Sequence, residues 1–307
     1  MRIVFLGTPA FAVPTLEALV RAPGMKVTAV VCQPDRPAGR KGELQAPAVK
    51  RAAEKLCIEV YQPERMRGGE AQAWLEAQRP DALAVVAFGQ LLPKTMFGLP
   101  RWGAINAHAS LLPRFRGAAP IQWALAQGET ETGVTTMRID AGLDTGDILL
   151  QRALAIGPEE TAPELSLRLA ALGAELMVET LTGLEMGSVQ ARPQPEGATL
   201  APILRREDGR IDWSWTAQAI YNRWRGFRPW PGIHARFRDR QLAILRCRPV
   251  AGIEADPGCL LERAGALMVA CGAGALALDE VRPEGRQAMR GADFARGARL
   301  DRSARLQ

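Results

Sequence analysis

The chain has little histidine: two residues in 307, His108 and His234. Its five cysteines, Cys32, Cys57, Cys247, Cys259 and Cys271, are odd in number and include no Cys-x-x-Cys pair. Neither histidine stands at ligand spacing from two cysteines, which argues against a zinc site. Reduced thiols of a cytoplasmic protein are the expectation. There is no run of 18 apolar residues, so no membrane-spanning helix is expected. The apolar opening, Met1 to Leu6, ends at Gly7 and Pro9. With no basic region or small-residue cleavage site it reads as a buried strand, not a signal peptide. A Gly-x-Ser-x-Gly elbow is absent, and no Gly-x-Gly-x-x-Gly follows Leu6. The first absence removes one common covalent nucleophile, and the second weakens a nicotinamide-dependent dehydrogenase reading. No obligate protein partner is evident.

The chain does have ample core-forming material. At 47% hydrophobic and 23% charged, it can bury a core without staples. Its length suits two domains or one large one. The net charge of +6 is unevenly spread. From residue 203 onward there are 19 arginines against 12 acidic residues; before it, 20 basic residues face 21 acidic ones. A basic C-terminal third points toward a polyanion.

Apolar runs at Arg2–Leu6, Lys26–Cys32 and Ala82–Ala87 alternate with helical periodicity at Ala10–Val20, Pro47–Leu56 and Gly69–Gln78. That order predicts an α/β fold: a Rossmann-like, mostly parallel sheet with helices on both faces. Further strands are expected at Val134–Ile139 and Ile148–Ile156, and a long helix at Thr161–Leu184. Prolines and glycine cluster near 190–205, which reads as a linker. Beyond it, a helix near Thr216–Arg225 and alternating segments at Ala235–Phe237 and Gln241–Arg246 suggest a small, OB-like β-barrel. The expected organisation is a catalytic domain over 1–189, a linker over 190–205, and a basic barrel over 206–307.

Residues 105–120 carry the chemistry. Asn106, His108 and Ser110 alternate, so an extended segment would turn all three to one face. Three polar groups on a core strand are costly unless something binds there. Downstream, Asp140-Ala-Gly-Leu-Asp144-Thr-Gly-Asp147 is a glycine-loosened loop able to bring a carboxylate to the imidazole; Asp140 and Asp147 also suit turn formation. A carboxylate beside an imidazole favours the imidazolium, and with the Asn amide it makes a donor pair for an oxyanion. Acyl transfer through a tetrahedral intermediate fits. Without a cysteine or elbow serine placed as nucleophile, direct attack by a substrate amine is the simplest route.

Asn106-Ala-His108-Ala-Ser110-Leu111-Leu112-Pro113, with Asp144 downstream, resembles the folate-dependent formyltransferases. The resemblance implies formyl transfer from 10-formyltetrahydrofolate to an amine, without a metal. It implies Asn106, His108 and Asp144 as catalytic residues and Ser110, Leu111, Leu112 and Pro113 as folate contacts. Val85 to Pro93 is similar to another folate wall, and Ala109 stands where the family usually has Gly. Gly7–Ala12, Gln33–Arg40, Arg116–Gln122, Gly209–Trp213 and Pro229–Gly232 resemble the members that formylate methionyl initiator tRNA for translation initiation. That implies tRNA contacts at Arg36, Arg40 and Lys41, in a loop less basic than usual after Arg40. The basic barrel would add phosphate contacts, with Arg205, Arg206, Arg223 and Arg236 as candidates. Formylation of a small amine, hydrolysis of formyltetrahydrofolate, and non-catalytic RNA binding are the competing readings.

Overall fold

The computed structural model describes residues 1–38, 42–253, 255–301 and 303–307. Arg40 and Lys41, two of the three tRNA contacts expected from the sequence, lie outside the described residues. In chain order the elements begin β1 (Arg2–Gly7), α1 (Val13–Arg21), β2 (Lys26–Val31), β3 (Arg36–Ala38), β4 (Glu43–Gln45), α2 (Ala48–Lys55), β5 (Glu59–Tyr61), α3 (Gly69–Ala77), β6 (Ala82–Val86), α4 (Lys94–Phe97) and β7 (Ala104–His108). They continue with α5 (Pro120–Ala126), β8 (Glu131–Arg138), β9 (Ile148–Ala155), α6 (Ala162–Met186), α7 (Ala217–Gly226), β10 (Ile233–Phe237), β11 (Arg240–Val250), β12 (Leu260–Arg263), β13 (Ala266–Ala270), β14 (Ala275–Pro283), β15 (Met289–Arg290) and α8 (Gly291–Ala298).

Contacts divide the described chain into two bodies. The first comprises Met1–Pro120, Glu131–Ala155 and Leu165–Ala201; the second comprises Ile121–Thr130, Ile156–Glu164 and Pro202–Gln307.

The first body is built on a seven-stranded sheet in the order β5-β2-β1-β6-β7-β8-β9. The strands from β5 to β7 pair in parallel; β8 runs antiparallel between β7 and β9. All five residues of β6 are buried, as the continuous apolar run Ala82–Val86 requires of a strand covered on both faces. Val4, Leu6, Val31, Leu75, Leu83 and Phe88 share one core cluster. The neighbours of β1 are β2 and β6, so the strand order reverses there. In such sheets ligands bind beyond the carboxyl ends of the strands at the reversal. Those ends are tied together here: Thr8 Oγ1 donates to the Phe88 carbonyl at 2.9 Å and accepts from Gln33 N at 3.3 Å.

The second body carries antiparallel strands in the order β10-β11-β14-β13-β12, with β15 on β14. The last residues close the gap between its outer strands. Arg236 and Gln307 exchange backbone hydrogen bonds at 2.7 and 2.9 Å, while Leu260 N donates to Ala304 O at 2.9 Å and Leu306 N to Gly258 O at 2.9 Å. Helix α7 begins at Thr216, whose hydroxyl accepts from Ala219 N at 3.1 Å, a cap worth about 1 kcal/mol. Earlier segments pack into this body as well. The Trp123 ring meets Phe227 edge-on at 5.3 Å, and Arg225 Nη1 donates to the carbonyls of Gly157 and Glu160, both at 3.1 Å.

No helix among the described residues is long and apolar enough to cross a membrane. All five cysteines are free thiols. Burial pushes Cys32 up to about 11 and Cys271 up to about 12.

Candidate active site

Strand β7 ends at His108, at the carboxyl edge of the parallel strands. Asn106 and His108 therefore share a strand face. Asn106 is half-buried, and among the described residues nothing hydrogen-bonds its amide. Ser110 departs from the alternation expected of it. The strand has already stopped, and the serine is completely buried in the following turn, its hydroxyl donating to the Arg114 carbonyl at 2.6 Å. It braces the turn instead of joining the polar face.

His108 is buried, 6% exposed. Its Nε2 lies 2.8 Å from the Phe115 carbonyl. A carbonyl only accepts, so that nitrogen carries a proton. Nδ1 faces Asp144, with Oδ2 at 3.6 Å. This exceeds a normal hydrogen bond, so the carboxylate leaves the Nδ1 position unclaimed. Asp144 Oδ2 instead accepts from Gly117 N at 2.8 Å. Gly117 is suited to donate from that position, since its φ of +121° is a glycine conformation.

Asp144 has φ +51° and Phe115 +59°. Left-handed backbone at non-glycine residues is costly and persists where surroundings enforce it. The loop carrying Asp144 is fastened at several points. Asp140 accepts from Gly142 N at 3.0 Å and from Thr145 Oγ1 at 2.8 Å, so it is a turn former. At Gly146 a Cβ would stand 1.9 Å from the Arg138 carbonyl, which closes the loop to any larger residue.

Leu111 is half-buried, while Leu112 and Pro113 are buried. Leu112 packs with Met137 and Ile148. Their turn is anchored on Thr135 of β8, whose hydroxyl accepts from Leu112 N at 3.0 Å and donates to Ser110 O at 2.7 Å. Residues 87–93 follow β6, the strand next to β7, and include the 74%-exposed Leu91.

Arg36 is exposed on β3 and pairs with Glu64 at 2.9 Å, a surface ion pair worth little and easily exchanged. Beside it, Asp35 accepts from Lys50 at 2.8 Å and Gln62 at 2.8 Å. These two donors, Gln62 first, hold the Asp35 carboxyl below the usual carboxylate range.

Among the C-terminal arginines, Arg205, Arg206 and Arg236 are exposed. Arg223 is half-buried and lies over the Trp215 ring at 4.2 Å, with Trp123 and Phe227 within 6 Å. That aromatic setting makes Arg223 a packing residue of the second body.

The sequence matches the family described as "Formyl transferase" over residues 1–181 and "Formyl transferase, C-terminal domain" over 203–299. It is 56% identical to "Methionyl-tRNA formyltransferase" of Solibacter usitatus, covering 100% of this chain and 98% of that one. The chain belongs to the methionyl-tRNA formyltransferase family. The Acidobacterium capsulatum protein of the same name is 54% identical to this formyltransferase, over 100% and 99% of the two chains. Among solved structures, an N-formyltransferase from Helicobacter canadensis in complex with folinic acid and dTDP-3-aminofucose shares the fold at TM-score 0.68 and 18% identity, covering 90% of this formyltransferase and 98% of that chain. HypX from Aquifex aeolicus, in complex with tetrahydrofolic acid, shares it at TM-score 0.61 and 17% identity, over 96% and 47%.

Four groups at the site leave no mark in the local sequence: the Phe115 carbonyl, Gly117 N, Thr135 and Gln194. The first two are backbone atoms. The latter two reach the site from distant parts of the chain, and no local motif marks them.

Proposed function

We propose that this formyltransferase moves the formyl group of 10-formyltetrahydrofolate to the free amine of methionyl initiator tRNA, through Asn106, His108 and Asp144. The observation that carries the reading is the meeting of His108 with Asp144, 36 residues downstream, on the strand face that His108 shares with Asn106, whose amide has no hydrogen bond among the described residues. The methionyl amine attacks the formyl carbon, and the carbonyl electron pair becomes an oxyanion. The Asn106 amide and a protonated His108 stabilise it; Nδ1, at 3.6 Å from Asp144, is the ring position available for that bond. Asp144 orients the ring and accepts the amine proton through water. As the oxyanion re-forms the carbonyl, the bond from the formyl carbon to N10 breaks, and the proton taken up by Asp144 returns through water to N10, which leaves as tetrahydrofolate.

The folate is held between residues 85–93 and the turn at Ser110–Pro113. Leu111 supplies the side-chain surface there, with Ser110, Leu112 and Pro113 supporting it from behind. The tRNA is met by Arg36, Arg40 and Lys41 and by the basic C-terminal body, and the enzyme acts in the cytoplasm where initiation occurs. Binding through phosphates makes the tRNA KM salt-dependent, with a log–log slope of about 0.9 per phosphate on a duplex.

Formyl transfer is to be assayed on methionyl initiator tRNA, with methionyl elongator tRNA and small amines as controls. Initiator tRNA should be strongly preferred. His108→Ala should lower kcat by about 10²–10³-fold, the cost of one oxyanion donor, with a smaller change in either KM. Near-normal turnover in His108→Ala would end the mechanistic reading, and preference for a small amine would end the substrate reading.

A further inference from the structure

Asp144 is held in its left-handed conformation by a segment that follows α6 in the chain. Arg192 pairs with Ile148 at the start of β9 through backbone hydrogen bonds of 2.8 and 2.9 Å, which lays residues 192–194 along the end of the Asp144 loop. Gln194 is half-buried there. Its Nε2 donates to the backbone carbonyls of Asp144 and Gly146, both at 2.8 Å. Its Oε1 accepts from Arg116 Nε at 3.1 Å and Nη2 at 2.6 Å. The strap continues to Thr199, whose hydroxyl accepts from Phe115 N at 2.8 Å and whose carbonyl accepts from Arg116 N at 2.8 Å.

One amide thus ties the backbone of one segment flanking the His108 ring to the Arg116 guanidinium of the other. On one side is the loop that delivers the Asp144 carboxylate. On the other is Arg116, between Phe115, whose carbonyl holds Nε2, and Gly117, whose N–H holds Asp144. Both segments carry left-handed, non-glycine residues, which relax unless held. Only a primary amide of this length can donate to two carbonyls while accepting from a guanidinium.

We propose that Gln194 is a positioning residue for the reaction: it sets the Asp144 carboxylate against His108 without touching either substrate. This rests on the reading of Asn106, His108 and Asp144 as the catalytic group. Gln194→Met keeps the length and removes every hydrogen bond. Gln194→Glu keeps the acceptor for Arg116 but turns a carboxylate on the two carbonyls.

Steady-state formylation of methionyl initiator tRNA should show kcat lowered about 10- to 100-fold in both variants, the usual scale for misplacing a catalytic group through its support. Both KM values should stay within about threefold, as expected when the loss is confined to the transition state. In an Asp144→Ala background, Gln194→Met should lower kcat by less than about twofold, because residues acting as a unit are not additive. With two histidines in the chain, the imidazole ¹H–¹⁵N spectrum separates them: both variants should move the His108 signals and leave those of His234 in place. The inference is overturned by wild-type kcat in Gln194→Met when His108→Ala is crippled, or by full additivity with Asp144→Ala. Should Gln194→Met fail to fold, kcat and the His108 signals of Gln194→Glu decide the matter. Normal turnover in His108→Ala would instead remove the underlying reading and leave the structural tie intact.

Discussion

Replacing Thr135 by valine should unfasten the turn that follows β7. The residue is completely buried, and valine matches its shape, so the packing change is small. The hydroxyl makes three hydrogen bonds: to Ser110 O at 2.7 Å, from Leu112 N at 3.0 Å, and from Gln151 Nε2 at 2.9 Å. Gln151 loses little, since its amide also donates to Leu112 O at 2.8 Å. The Ser110 carbonyl and the Leu112 N–H have no such alternative among the described residues. Each orphaned buried group costs about 1–3 kcal/mol, so the pair costs roughly 4 kcal/mol. At about 2–4 °C per kcal/mol for a body of this size, Tm should fall roughly 8–16 °C. Thermal unfolding followed by circular dichroism reads this directly, with Thr135→Ser as the control that keeps the hydroxyl. If the turn forms part of the folate wall, the KM for the formyl donor rises in the valine variant as well. A valine variant within about 2 °C of the parent, or a serine variant that loses as much, would refute the reasoning.

Burial, then the charges of Arg206 and Arg210, holds the His234 imidazole below its ordinary value. The unfolded chain takes up this proton as pH falls through about 6.5 while the fold resists it, so stability should drop from pH 7 toward pH 5. His234→Gln should flatten that dependence in the second body's Tm, and an unchanged or steeper slope would contradict the assignment. Gly146→Ala would place a Cβ 1.9 Å from the Arg138 carbonyl, forcing the Asp144 loop to move. Its kcat should fall at least about tenfold with Tm lowered, and a variant matching the parent in both would show that the loop yields freely.

What can be read in the sequence divides along physical lines. The buried strands β1, β2 and β6 are unbroken apolar runs, because a strand covered on both faces needs them at every position. Helix α7 is visible from Thr216 as its cap and from its periodicity. By contrast β3 and β4 are only three residues each, with β4 exposed throughout, and helix α5 is a single short stretch; neither leaves a periodic signal. At the site, Asn106 and His108 are legible because a strand's alternation is local. Ser110 escapes that alternation because nothing in the sequence says that β7 stops at His108. Gln194 is invisible for a different reason: its partners lie 78, 50 and 48 residues away, and it sits in a proline-rich stretch that reads as a linker.

The second body takes in Ile121–Thr130 and Ile156–Glu164 from well before its main segment, with consequences for building hybrids between relatives. A crossover near residue 202 looks natural, since the C-terminal family domain starts at 203. It would nevertheless leave Trp123, Gly157 and Glu160 with one parent and their partners Phe227 and Arg225 with the other. A functional exchange therefore has three pieces, and the two short ones have to travel with the long one.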